Sequence, residues 1–413
     1  MTFFILACAL AWLIRPLVAR LLPVELPAPT GPYRVGRITY DWMDDSRHDP
    51  YARKVGVKRE LPVWVWYPAE PTSGADPGVY LPGWWKSIGL IWSFDPARVR
   101  AHAISDAPVA SDRDGYPVLV FSPSGSPPHS YTSLSEELAS HGYVVAGIAH
   151  THEPIPLTAF ANGRIKLFNP ASIGGALQSS TGPYEEDARK RAALIDVKVA
   201  DVRFVVDQLK RLDAGTGILS GRLDLGRLGV FGHSFGGATA AEVCRRDRWF
   251  KAGISLDGAL WREPGAVGVS QPFMQVFAEH PEYVRPCEDL VREKAFPSVE
   301  YCQKDRTFTL DGWQKLYEST QHGYCVLVRG ARHADFIDWA LLPLAPWSLV
   351  KRGLGTIGGR RMWRVTSDYL LAFFDKHLSG VSAPLLDGPS LNHPEVMLGA
   401  PDVLFKTEYR LHQ

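Results

Sequence analysis

Residues Phe231–Ala241 read FGHSFGGATAA. Ser234 stands between Gly232 and Gly236 in the pattern G-x-S-x-G. The run before it, LGVFGH, has the apolar density of a strand; the run after it, GGATAAEVC, reads as a helix. A strand that turns into a helix at one serine forces that residue into a strained backbone, and glycines two positions to either side keep side chains apart where the elements meet. The hydroxyl then projects at a helix N-terminus, where backbone N–H groups and the helix dipole favour negative charge. Small residues at 236, 237, 238, 240 and 241 let that helix lie close on a sheet. The plainer alternative is a glycine turn with an exposed serine.

Working outward, the signals alternate between strand and helix. LPVWVWYPAE (Leu61–Glu70) reads as an early strand, and Val118–Phe121 is a buried strand ending in a Ser/Pro/Gly loop. YTSLSEELASHGY has Leu134 and Leu138 at helical spacing and closes at Gly142, before a second apolar strand, VVAGIAH. Glu185–Leu212 is a long helix with Val199, Val202, Val206, Leu209 and Leu212 on one stripe. KAGISLDG, PFMQVFAE and YCVLVRGARH follow as strands, and TSDYLLAFFDKHL as an amphipathic helix. Beyond Gly380 the pattern fades into a Pro-rich tail. This alternation predicts an α/β protein with a mostly parallel central sheet and helices on both faces.

A serine needs a base to become a nucleophile, and the base an acid to orient it. Asp257 stands just past strand AGISL, and His333 in GARHADF just past strand YCVLVRG, where sheet-top loops present functional groups. Asp335, Asp338 and His322 compete for these roles, although Asp335 is too near His333 in sequence to be its usual partner. The loop Ser122–Ser126 follows strand VLVF and suits a second oxyanion donor. The backbone N–H groups of Phe235 and Gly125 are the candidates, with Ser126 as the alternative to Gly125.

Net charge is +1, with 45 basic and 44 acidic residues, and nucleic acid is not expected as a partner. None of the five cysteines forms a CxxC pair; Cys287 and Cys302 flank a short segment and could be joined. His150, His152 and Glu153 in HTHEP raise a metal reading, but one HxH lacks further ligands at diagnostic spacing, so no metal or cofactor is expected. The apolar run Phe3–Ile14 is twelve residues, short for a membrane span and near a signal-peptide core, with Arg15 and Arg20 behind it. Residues 1–29 are therefore expected to be a targeting or anchor segment that makes the protein secreted or membrane-associated, and 30–413 the catalytic domain. Val79–Phe94 holds three tryptophans. Trp84, Trp85, Ile88, Leu90, Ile91 and Trp92 are candidates for a lipid surface, or else for core or pocket packing. Trp339–Trp347 is a second apolar loop with the same ambiguity.

Together these residues resemble the platelet-activating factor acetylhydrolase family, the plasma/type II branch of the α/β-hydrolases, from Gly31 to about Ser379. GHSFGGATA and AGISLDG look like that family's nucleophile and acid motifs, and RGARHADFIDW is similar to its histidine segment. FSPSGS followed by LASHGYVVAGIAH looks like its oxyanion loop, helix and strand, with Pro123-Ser124 where the family has His-Gly. The resemblance implies an α/β-hydrolase fold with Ser234, Asp257 and His333 as catalytic residues, and Phe235 and Gly125 as oxyanion donors. It also implies a calcium-independent serine esterase that removes short or oxidised sn-2 acyl chains from phospholipids, and it places Val79–Phe94 at the family's lipid-surface region. The alternatives are a general carboxylesterase, lipase or polyester hydrolase, and a non-catalytic hydrolase-fold binding protein. Oligomeric state is not legible.

Overall fold

Every residue of Tyr116–Ser122 is buried, which a strand achieves when both faces of its sheet are covered. Val118 and Val120 join one core cluster, Leu119 and Phe121 the other, as the two-residue period of a strand requires. The computed structural model describes residues 23–71, 77–80, 98–174, 183–260, 268–343 and 349–405. Across them this alternation builds a twelve-stranded sheet.

Its strands are β1 (Val24–Glu25), β2 (Arg34–His48), β3 (Lys58–Ala69), β4 (Pro77–Val79), β5 (Val99–Ser105), β6 (Tyr116–Ser122) and β7 (Val144–Ile148). After a separate hairpin of β8 (Leu157–Ala159) and β9 (Ile165–Leu167) come β10 (Leu223–His233), β11 (Phe250–Leu256), β12 (Phe273–Phe277), β13 (Gly323–Val328) and β14 (Val396–Leu398). The order is β1-β5-β2-β3-β7-β6-β10-β11-β12-β13-β14, with β4 paired to β5. From β7 to β13 all pairings are parallel. The β2–β3 ribbon and β14 pair antiparallel on the two flanks.

The helices are α1 (Thr132–Ser140), α2 (Tyr184–Ala214), α3 (Phe235–Arg246), α4 (Cys287–Arg292), α5 (Val299–Ser319), α6 (Leu349–Arg352) and α7 (Gly359–Ser379). α2 and α3 cover one face of the sheet, through Val199, Val202, Val206, Leu209, Ala238 and Ala241. α1 and α7 cover the other, through Leu134, Leu138, Val365, Tyr369, Phe373 and Phe374. This is the layering of an α/β-hydrolase.

Three elements differ from the sequence reading. β2 is fifteen residues long, yet its second half, DWMDDSRH, carries little apolar signal because it lies on a flank. α5 is mostly polar and buries only a narrow strip that includes Tyr301, Cys302, Trp313 and Leu316. The tail beyond Gly380 does not simply fade: it returns to supply β14, too short a strand to show a period. Cys287 and Cys302 are disulfide-bonded, tying α4 to α5.

The localisation expectation is corrected. Among the described residues no helix is long and apolar enough to cross a membrane. Residues 1–22 lie outside the described ones, so no hydrophobic N-terminal segment is shown. Trp84, Trp85, Ile88, Leu90, Ile91 and Trp92 also lie outside the described residues, as do residues 344–347 of the second apolar loop.

Phe374 is fully buried against Phe231, Tyr143 and Phe373. Phe374→Ala should lower the unfolding free energy by about 3–5 kcal/mol, read as a shift of the urea midpoint with the slope unchanged.

Candidate active site

β10 delivers the chain to Ser234, whose φ is 58° and ψ −123°, a conformation that L-residues hold only when their surroundings impose it. Here the Ser234 N–H donates to the Leu256 carbonyl at the end of β11, and the Ser234 carbonyl accepts from Gly237 in the first turn of α3. The two motif glycines are steric requirements. A Cβ on Gly236 would stand 1.7 Å from the Ser122 carbonyl oxygen, and one on Gly232 would stand 2.1 Å from the Gly236 carbonyl oxygen. Strand β6, strand β10 and helix α3 therefore meet backbone to backbone beneath Ser234.

Asp257 follows β11 directly, also at positive φ (53°), with its N–H donating to the Val276 carbonyl of β12. Its carboxylate is fully buried. His333, in the loop after β13, is half-exposed, and its Nδ1 lies 2.6 Å from Asp257 Oδ2. That bond turns Nε2 away from the acid. The competitors are engaged elsewhere: Asp335 accepts from the N–H groups of Arg332 and Gly355, and Asp338 from Ser133. His322 stacks toward His377.

Ser234, Asp257 and His333 line one cavity of about 360 Å³, together with Phe235, His280, Tyr283, Trp313 and Arg332. The structure thus brings together the three residues that the sequence singled out, at the C-terminal ends of parallel strands. His233 lies beneath His333 with ring centroids 4.5 Å apart, and its Nδ1 is 2.8 Å from the Tyr131 hydroxyl. Burial, and then the neighbouring His333, push its pKa down to about 3, so the ring stays neutral.

Sequence reasoning missed His280. It sits three residues past β12, buried, with Nε2 2.8 Å from Asp257 Oδ1 and Nδ1 2.7 Å from Glu282 Oε1. The available signal was positional: a histidine just past the C-terminal end of a parallel strand, in the same layer as Asp257 and His333. Asp257 Oδ1 also accepts the Ala278 N–H at 2.8 Å. Burial alone would raise the Asp257 pKa, but His280 and His333 outweigh it and hold the carboxyl well below its ordinary value.

The loop after β6 is anchored by buried charge. Lys198 on α2 donates to the Pro123 carbonyl (2.9 Å) and to Glu153 (2.7 Å). His150 links Ser122 Oγ to Asp201, which also takes the Arg59 guanidinium. The HTHEP side chains are therefore bound to protein groups: His152 hydrogen-bonds the Leu167 carbonyl. Among the described residues no group of three or more His, Cys, Asp or Glu could hold a metal ion. Gly125 adopts φ 64°, and its carbonyl accepts from Ile155; neither it nor Ser126 lines the cavity, whereas Phe235 does.

Residues 23–382 match the family of platelet-activating factor acetylhydrolase, isoform II. A protein of Arthroderma benhamiae named "Probable 1-alkyl-2-acetylglycerophosphocholine esterase" is 25% identical over 90% of this chain and 93% of its own. The platelet-activating factor acetylhydrolase of Cavia porcellus is 26% identical over 54% of this chain and 49% of its own. In solved structures, a ferulic acid esterase from Streptomyces cinnamoneus superposes with a TM-score of 0.70. It is 32% identical, over 91% of this chain and 99% of that one.

Gly236→Ala should leave too little room between α3 and β6. The expected result is a loss of at least about 10²-fold in kcat for a nitrophenyl ester, as misplacement at a reacting centre produces, with circular dichroism reporting whether the fold survives.

Proposed function

The chain belongs to the platelet-activating factor acetylhydrolase, isoform II, family and is a carboxylic ester hydrolase, and we propose that it cuts its ester through Ser234, His333 and Asp257. The observation that carries this is the 2.6 Å bond from His333 Nδ1 to buried Asp257 in the cavity that Ser234 lines. His333 Nε2 takes the hydroxyl proton as Ser234 Oγ attacks the carbonyl carbon. Asp257 holds the ring in the Nδ1–H tautomer and steadies the imidazolium. The tetrahedral oxyanion forms beside the N-terminus of α3, where the Phe235 N–H is one donor and a backbone N–H of the 123–126 loop, from Gly125 or Ser126, is the other. One such donor is worth about 10²–10³ in kcat. His333 then returns the proton to the departing alcohol, and water releases the acyl group by the same steps.

For substrate, we infer a phospholipid with a short or oxidised sn-2 acyl chain. The family, and the relative named an alkylacetylglycerophosphocholine esterase that aligns over nearly its whole length, support this reading. A second reading, an ester of an aromatic acid, is favoured by Tyr283 and Trp313 in the cavity wall and by the solved ferulic acid esterase.

A hydrolysis panel decides between them: phosphatidylcholines with sn-2 acetyl, oxidised and long acyl chains, beside methyl ferulate. The phospholipid reading expects kcat/KM highest for the acetyl and oxidised chains; a preference for ferulate would replace it. Ser234→Ala should cost at least about 10³-fold in kcat on every substrate while keeping the fold. Retained turnover in that variant removes the serine mechanism.

A further inference from the structure

Each ring nitrogen of His280 faces a carboxylate oxygen: Nε2 faces Asp257 Oδ1 at 2.8 Å, and Nδ1 faces Glu282 Oε1 at 2.7 Å. An ionised carboxylate only accepts hydrogen bonds. Both nitrogens therefore carry protons, and the ring is an imidazolium. Its plane is held by aromatic neighbours, with Tyr283, Trp313 and Phe405 centroids at 5.1, 5.7 and 6.3 Å. Trp313 is itself locked by a 2.8 Å bond from its indole N–H to the Gly258 carbonyl, one residue past Asp257.

We propose that His280 is a positioning residue for Asp257 and that, with Glu282, it sets the pH at which His333 becomes available as a base. The proposal rests on the triad reading above. Asp257 Oδ1 is occupied by His280 and by the Ala278 N–H, which leaves Oδ2 for His333. The carboxylate cannot turn without breaking two hydrogen bonds. Burial alone would lower the His280 pKa, but Asp257 and then Glu282 raise it to about 10, so the ring stays charged across the neutral range.

The charges around this relay come from several elements. Asp257 follows β11, while Glu282 and Tyr283 share the turn after β12 with His280. Asp305 on α5 acts on Glu282 and Tyr283, and so does Arg306, while Arg191 on α2 pairs with Asp305. On the other side, His333 faces neutral His233, and Arg332 and Glu279 line the same cavity. Asp257, His280 and Glu282 together carry one net negative charge. Replacing His280 with a neutral residue makes that two, which favours protonated His333; replacing Glu282 makes it zero, which disfavours it.

The test is the acidic limb of kcat/KM against pH for a nitrophenyl acetate, which reports groups of the free enzyme. His280→Gln should move the limb up by about 0.5–1 pH unit, and Glu282→Gln should move it down by a similar amount, given charges several ångströms apart at a partly screened site. At its own optimum, His280→Gln should also lose about tenfold in kcat, with KM little changed. A purely structural His280 would lower activity without shifts of opposite sign. Limbs that stay put, or move the same way, overturn the proposal. Where His280→Gln fails to fold, Glu282→Gln decides alone: a downward shift supports the proposal and an unmoved limb overturns it. Ser234→Ala in parallel separates the two claims: if it is inactive and the limbs do not move, only His280's role falls; if it is active, the triad falls as well.

Discussion

Backbone atoms of Ser122, Gly232 and Gly236 meet so closely that no Cβ fits between them, and the geometry of the site follows from that contact. Because α3 can press onto β6 and β10, Ser234 is forced into its positive-φ turn and stands above the sheet edge. The same contact brings the loop after β6 to the N-terminus of α3, where an oxyanion would form. Parallel pairing from β7 to β13 then carries the ends of β11, β12 and β13 to the same edge, each one strand further along. Asp257, His280 and His333 are the residues those three ends present.

Around this frame charged groups form two assemblies, of which the first is buried throughout. One fixes the loop: Arg59, Asp201, His150, Lys198 and Glu153 are all buried and joined through to Ser122 and Pro123. Burial would raise the Asp201 pKa, yet Arg59 and then His150 pull it far below the ordinary carboxylate range. A group depressed in this way contributes stability that is present above its unfolded pKa and lost as pH falls. The other assembly is the His333–Asp257–His280–Glu282 relay. His280 has the opposite linkage: its raised pKa contributes stability that is full below about 6.5 and lost as pH rises toward 10. Buried ion pairs are weak sources of net stability, because desolvation offsets attraction. Their use here is orientation, since each fixes a backbone segment or a carboxylate within hydrogen-bonding tolerance of the cavity.

Much of this was legible beforehand because it rests on local periodicity. The stripe on α2, the alternation in β3 and β6, and the small residues of α3 are one-dimensional patterns that match three-dimensional faces. Asp257 and His333 could be named because they come one and five residues past apolar strands, and strand ends converge in a parallel sheet. What escaped was the part whose signal is not periodic. β2 and α5 are half polar, and β14 is three residues long. HTHEP raised a metal reading because sequence lists ligating side chains without showing that Lys198, Asp201 and Ser122 already occupy them.

The sequence by itself determined the α/β architecture, the elbow at Ser234 and the identities of an acid and a histidine one loop each beyond later strands. Those features depend on spacing along the chain, and spacing is what a sequence records. Only the tertiary structure decided that His333 turns Nδ1 to Asp257 at 2.6 Å, that Asp335 and Asp338 are taken by backbone and Ser133, and that His280 holds the far side of the acid. Those assignments depend on which side chains meet across strands far apart in the chain, where a rotation of one carboxylate changes its partner and nothing in the local pattern changes with it.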